Sequence, residues 1–108
     1  MRTHYNIVLL LSLTLLLIAP CLVLAHKVNI FAYVEGQTVY TESYFPDGRP
    51  VAGGTIEVRD RNETILLAGK TDEKGLFNFP LAKKEDLTIV INAGMGHRNS
   101  YLLKETEM

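Results

Sequence analysis

The chain has 108 residues, with eleven Lys/Arg against twelve Asp/Glu and 47% hydrophobic residues. So small and nearly neutral a chain offers no electrostatic footprint for nucleic acid or an anionic lipid surface, and it has room for one compact domain. Cys21 is its only cysteine, so no disulfide within the chain can supplement a thin core.

The N-terminus carries the clearest local pattern. Arg2 supplies a positive charge, Ile7 to Ile18 is apolar apart from Ser12 and Thr14, and Pro20 ends any helix there. Val23-Leu24-Ala25 then places acceptable residues at the −3 and −1 positions of a signal-peptidase site. Residues 1–25 therefore read as a secretory signal peptide and residues 26–108 as the exported β-sandwich domain, periplasmic or secreted. An uncleaved membrane anchor is the rival reading, because Ile7 to Ala25 is nearly long enough to span a bilayer. A covalent lipid anchor on Cys21 is not expected, since Pro20 stands where a small residue is needed. Cleavage after Ala25 leaves 83 residues and removes the cysteine.

Beyond the leader, period-two alternation dominates. Val28, Ile30, Ala32 and Val34 share one face of a first strand over 26–34. Glu35-Gly36 turns the chain into a second strand over 37–45, which makes a hairpin. Pro46-Asp47-Gly48-Arg49-Pro50 is a turn, with proline presetting φ and glycine accepting a positive φ. Strands are predicted over 55–60, 64–71 and 76–80, separated by turns at Asp60-Arg61-Asn62 and Asp72-Glu73-Lys74-Gly75. Ala82 to Asp86 reads as a charged loop or one helical turn. Leu87 to Asn92 is the most apolar strand, and Tyr101 to Glu105 pairs as the last. Seven short strands with Gly/Pro/Asp punctuation predict a small all-β antiparallel sandwich.

Two stretches carry a family resemblance. Asp47-Gly48-Arg49-Pro50-Val51-Ala52-Gly53-Gly54-Thr55-Ile56-Glu57-Val58, with Lys70-Thr71-Asp72-Glu73-Lys74-Gly75-Leu76-Phe77-Asn78-Phe79, resembles the transthyretin-like or carboxypeptidase-regulatory-like sandwich. This resemblance implies an Ig-like fold and says almost nothing of function. Ala25-His26-Lys27-Val28-Asn29-Ile30-Phe31-Ala32, together with Asn92-Ala93-Gly94-Met95-Gly96-His97-Arg98, resembles the periplasmic accessory components of nickel/cobalt uptake systems of the energy-coupling-factor type. Members of that family often continue into a charged helical segment and a membrane helix, whereas this sequence runs to Met108. The resemblance implies a non-catalytic partner of the transporter's membrane subunits, with Ni²⁺ or Co²⁺ transiently bound.

The candidate metal ligands are His26, His97 and Met95. Cleavage after Ala25 would give His26 a free α-amine (pKa near ~8) beside its own imidazole (near ~6.5), both available as donors close to neutral pH. Such nitrogen donors suit Ni²⁺, Cu²⁺ and Co²⁺. His97 and the Met95 thioether lie in a glycine-flanked segment, and they reach a shared ion only if the fold brings the N-terminus there. The bland readings are a solvated histidine at position 26 and a turn with an exposed His97 and a Met95 packed on the core edge. Asp47, Asp60, Asp72 and Glu73 fall in turns, where carboxylates cap backbone amides.

Two other function classes remain. Tyr33, Tyr40 and Tyr44 form a strip on the first hairpin, as expected of a metal-free module that binds a protein or glycan. An N-terminal histidine with a second histidine also fits a copper enzyme, although 83 residues leave little room for a substrate face. No Gly-x-Ser-x-Gly elbow and no zinc-spaced His/Cys cluster occurs, so the chain is read as a non-enzyme. Mass spectrometry of the exported protein is expected to find His26 as its first residue; a retained leader would remove the amine from the chelate.

Overall fold

The computed structural model describes residues 27–108. The leader, its cleavage site and His26 lie outside the described residues. Seven strands follow one another: β1 (Asn29–Glu35), β2 (Thr38–Tyr44), β3 (Thr55–Arg59), β4 (Ile65–Lys70), β5 (Leu76–Pro80), β6 (Leu87–Gly94) and β7 (His97–Leu103). A short 3-10 turn, Glu105–Glu107, closes the chain. The strands form two antiparallel sheets, β1-β2-β5 and β4-β3-β6-β7. The molecule is the small all-β sandwich that the alternation predicts.

Alternation decides which face each sheet buries, because successive side chains of a strand point to opposite sides. Ile30 and Ala32 of β1 and Val39 of β2 point inward, and Phe79 of β5 joins them. Ile56 and Val58 of β3, Ile89 and Ile91 of β6 and Leu103 of β7 answer from the other sheet. The residues between them (Phe31, Tyr33, Glu42, Tyr44) are exposed. β6 is central and the most apolar, with Leu87, Ile89, Val90 and Ile91 all buried.

The largest departures from the expected strand limits lie at the C-terminal end. The last strand begins at His97, four residues earlier than the apolar run Tyr101-Leu102-Leu103 suggests, because the polar residues 97–100 pair with β6 along a sheet edge. Glu105 belongs to the 3-10 turn, where its amide donates to the Asp86 carboxylate at 2.8 Å. Ala82 to Asp86 forms an irregular loop without a helical turn.

The chain changes sheet twice at the end of the sandwich where β2 and β4 stop, and the two crossings are stitched together. The 45–54 crossing leaves β2 and folds back so that the Val51 amide donates to the Ser43 carbonyl at 3.0 Å. The 71–75 crossing leaves β4, and the Ser43 amide donates to the Gly75 carbonyl at 2.9 Å. Thr71 joins them: its hydroxyl donates to the Val51 carbonyl (2.5 Å) and accepts from the Gly54 amide (2.9 Å). Its own amide donates to the Gly54 carbonyl at 2.9 Å. Thr71 is buried, so every one of these polar groups would otherwise be desolvated without a partner. Val51, 2% exposed, plugs the core beneath. Gly75 has φ +76°, and a Cβ there would run into the Ser43 carbonyl oxygen. Only glycine meets both demands.

Thr71→Val keeps the shape but orphans the Gly54 amide and the Val51 carbonyl. The expected loss is about 1–3 kcal/mol of unfolding free energy, measured by urea denaturation. Gly75→Ala combines backbone strain with overpacking and should cost about 2 kcal/mol or more. Unchanged midpoints for both variants would show that the stitched crossings do not govern stability.

Candidate metal-presenting site

His97 and Met95 are positioned by the hairpin that joins β6 to β7. Gly94, Met95 and Gly96 all have positive φ, at +83°, +53° and +82°, with Gly94 opposite His97 in the register. A two-residue connection with both central residues at positive φ matches the right-handed twist of its strands and makes a tight hairpin. The Asn92 side chain accepts from the Gly94 amide at 2.9 Å, where the ladder shifts register between Asn92 and Gly94. Met95 therefore does not pack on the core edge. It is 97% exposed at the tip, held in a backbone region that L-residues other than Asn and Asp seldom adopt.

His97 is the first residue of β7 and is half-buried. Its ring meets Phe45 edge to face, with centroids 5.6 Å apart and planes at 74°. Phe45, just past the end of β2, also has the Arg49 guanidinium 5.0 Å from its ring centroid. Arg49 in turn donates from its Nε to Asp47 at 2.7 Å and from its amide to the same carboxylate at 3.0 Å. The Arg49 amide first, and then its side chain, hold the Asp47 carboxyl below the usual carboxylate range. A connected series of contacts thus runs from His97 through Phe45 and Arg49 to Asp47 across this end of the sandwich.

The start of β1 reaches the same end. The Asn99 side-chain amide, two residues after His97, donates to the Val28 carbonyl at 2.8 Å, across the seam between the two sheets. Val28 itself is completely buried. β1 and β7 leave this end in the same direction, since Asn29 pairs with the last residue of β2 while Gly94, ending β6, pairs with His97. Asn99 and Phe45 escape a reading of the sequence alone: an asparagine in a polar run and an aromatic before a proline carry no special pattern.

The aspartates singled out in the turns have backbone tasks, whereas Glu73 shows no such bond among the described residues. Asp60 accepts from the amides of Asn62 (2.8 Å) and Thr64 (3.0 Å), and Asp72 from those of Lys74 (2.8 Å) and Leu76 (2.9 Å). Among the described residues, no three of His, Cys, Asp or Glu stand together as a metal cage would require. Among the described residues no helix is long and apolar enough to cross a membrane.

No family model matches the chain, and no solved structure matches it. A protein of Haemophilus influenzae described as uncharacterized is 35% identical over 85 residues, covering 76% of this chain and 53% of that protein. The chain thus spans about half the length of this relative.

Proposed function

We propose that the domain is an exported accessory component of a nickel/cobalt uptake system, presenting Ni²⁺ or Co²⁺ to the transporter's membrane subunits or modulating them. The bond from Asn99 to the Val28 carbonyl carries this reading. Val28 is two residues after His26 in sequence, and Asn99 is two residues after His97. Two residues of chain span at most about 7 Å, and the bond ties the two segments together at that offset. An N-terminal amine, the His26 imidazole and the His97 imidazole would together offer three nitrogen donors, a set suited to Ni²⁺ and Co²⁺. Such a half-open chelate leaves coordination positions for water or for a group of the receiving subunit, as handover requires. Met95, at the apex of a tight turn, is a candidate fourth, softer donor. The ion is cargo, and the chain performs no chemistry on it.

The test is calorimetry on protein exported and processed by the producing cell. Ni²⁺ and Co²⁺ should bind one per chain and exchange readily. His26→Ala and His97→Ala should each weaken binding by roughly tenfold or more, the scale of losing one nitrogen donor. Asn99→Ala, which touches no proposed ligand, should weaken it less by releasing the Val28 end. Absence of binding by the processed wild-type protein, with uptake unaffected by His26→Ala, would end the proposal.

A further inference from the structure

The outer face of the β1-β2-β5 sheet is aromatic and acidic, and its strands carry no basic residue. Phe31 and Tyr33 of β1 and Tyr40 and Tyr44 of β2 all fall on outward positions. Tyr33 and Tyr40 are cross-strand partners whose rings stack at 5.4 Å; Phe31 lies 5.9 Å from Tyr33. Phe31 is 46% exposed and Tyr44 43%, so this is an open aromatic surface. Glu42 stands on the central strand directly opposite Phe31, with Leu76 of β5 on its other side, and Glu35 ends β1. Among the described residues neither glutamate takes part in an ion pair. No Lys, Arg or His occurs anywhere in β1, β2 or β5. The opposite sheet differs: its outward positions mix Glu57 with Arg59, Lys70 and Arg98.

We propose that this face docks a polypeptide segment of the complementary kind, in which arginine or lysine alternates with apolar side chains. Charge complementarity decides the occupant. Two unpaired carboxylates set among electron-rich rings attract cations, and guanidinium groups stack on aromatic faces as well as pairing with carboxylates. A second copy of the same face would set Glu42 and Glu35 against their own kind, with no cation on these strands to separate them, so self-association is disfavoured here. Phe31, Tyr33, Tyr44 and Leu76 are all exposed on this one sheet face, and clustered exposed apolar side chains mark interaction surfaces. This surface and the His97 hairpin are separate features, and the proposal does not depend on metal.

The probe is an end-blocked octapeptide of alternating arginine and leucine, titrated into the exported protein and followed by amide shifts in NMR. The expected shifts fall on Phe31, Tyr33, Tyr40, Glu42 and Tyr44. A peptide with glutamate in place of arginine should not bind. Glu42→Lys, exposed and without a structural partner, should leave the fold intact by circular dichroism and weaken binding by about fivefold or more, as should Tyr33→Ser. His26→Ala should leave peptide binding unchanged, which separates this result from the fate of the metal proposal. Shifts confined to the four-stranded sheet, equal binding of the acidic peptide, or full affinity in Glu42→Lys would each overturn the proposal. So would a concentration-dependent dimer formed through this same face.

Discussion

The stitched pair of crossings at one end of the sandwich is the constraint on which the rest of the structure rests. Two sheets can slide or splay unless something fixes their separation where the chain passes between them. Here a single buried threonine hydroxyl, both donating and accepting, holds the 45–54 and 71–75 segments to one another. The Ser43–Gly75 and Val51–Ser43 bonds tie that knot to the end of β2, the central strand of the three-stranded sheet. Buried hydrogen bonds gain little over water when made and cost much when broken, so the arrangement enforces one geometry more than it adds stability. Because Phe45 begins the first of these crossings, the same knot fixes the surface against which His97 leans.

The opposite assignment of tasks to carboxylates follows from local geometry. Asp47, Asp60 and Asp72 each sit at the head of a turn and reach forward to amides two or more residues ahead. An aspartate side chain is short enough to do this while its backbone makes the turn, and the result is a turn that closes on itself. Those carboxylates are occupied. Glu35 and Glu42 lie on strands and face outward among aromatic rings. Acidic groups of similar composition thus divide into those that build the fold and those that shape its surface.

The His97 end combines a rigid part and an open part. A tight hairpin with three successive positive φ values joins β6 to β7, and the His97 ring packs against Phe45. Asn99 anchors the entry of β1 beside it. The proposed site would hold one donor on this frame and leave coordination positions open, so its ion would exchange faster than in a closed cage. Such behaviour is what the proposed handover of an ion would need.

Much of the fold was legible in the residues themselves. Period-two alternation marked the shared faces of Val28 to Val34, Ile56 with Val58, and Phe77 with Phe79, because a half-buried strand must show that pattern locally; the apolar run Leu87 to Asn92 and the turn residues marked the other strands. The Asp-Gly, Glu-Gly and Lys-Gly pairs marked turns through backbone preferences that need no distant partner. Strand ends were less legible: the polar run His97 to Ser100 has no apolar signature, and it becomes a strand only because β6 offers it an edge. Of the candidate site, the residue types at 95 and 97 were evident, but the exposure of Met95, the ring contact of His97 with Phe45 and the clamp from Asn99 to Val28 were not. These unite residues up to 71 positions apart in the chain. Short-range chemistry settles turns and faces; only the packing of two sheets decides which loop end meets which strand, since that depends on connections no local pattern encodes.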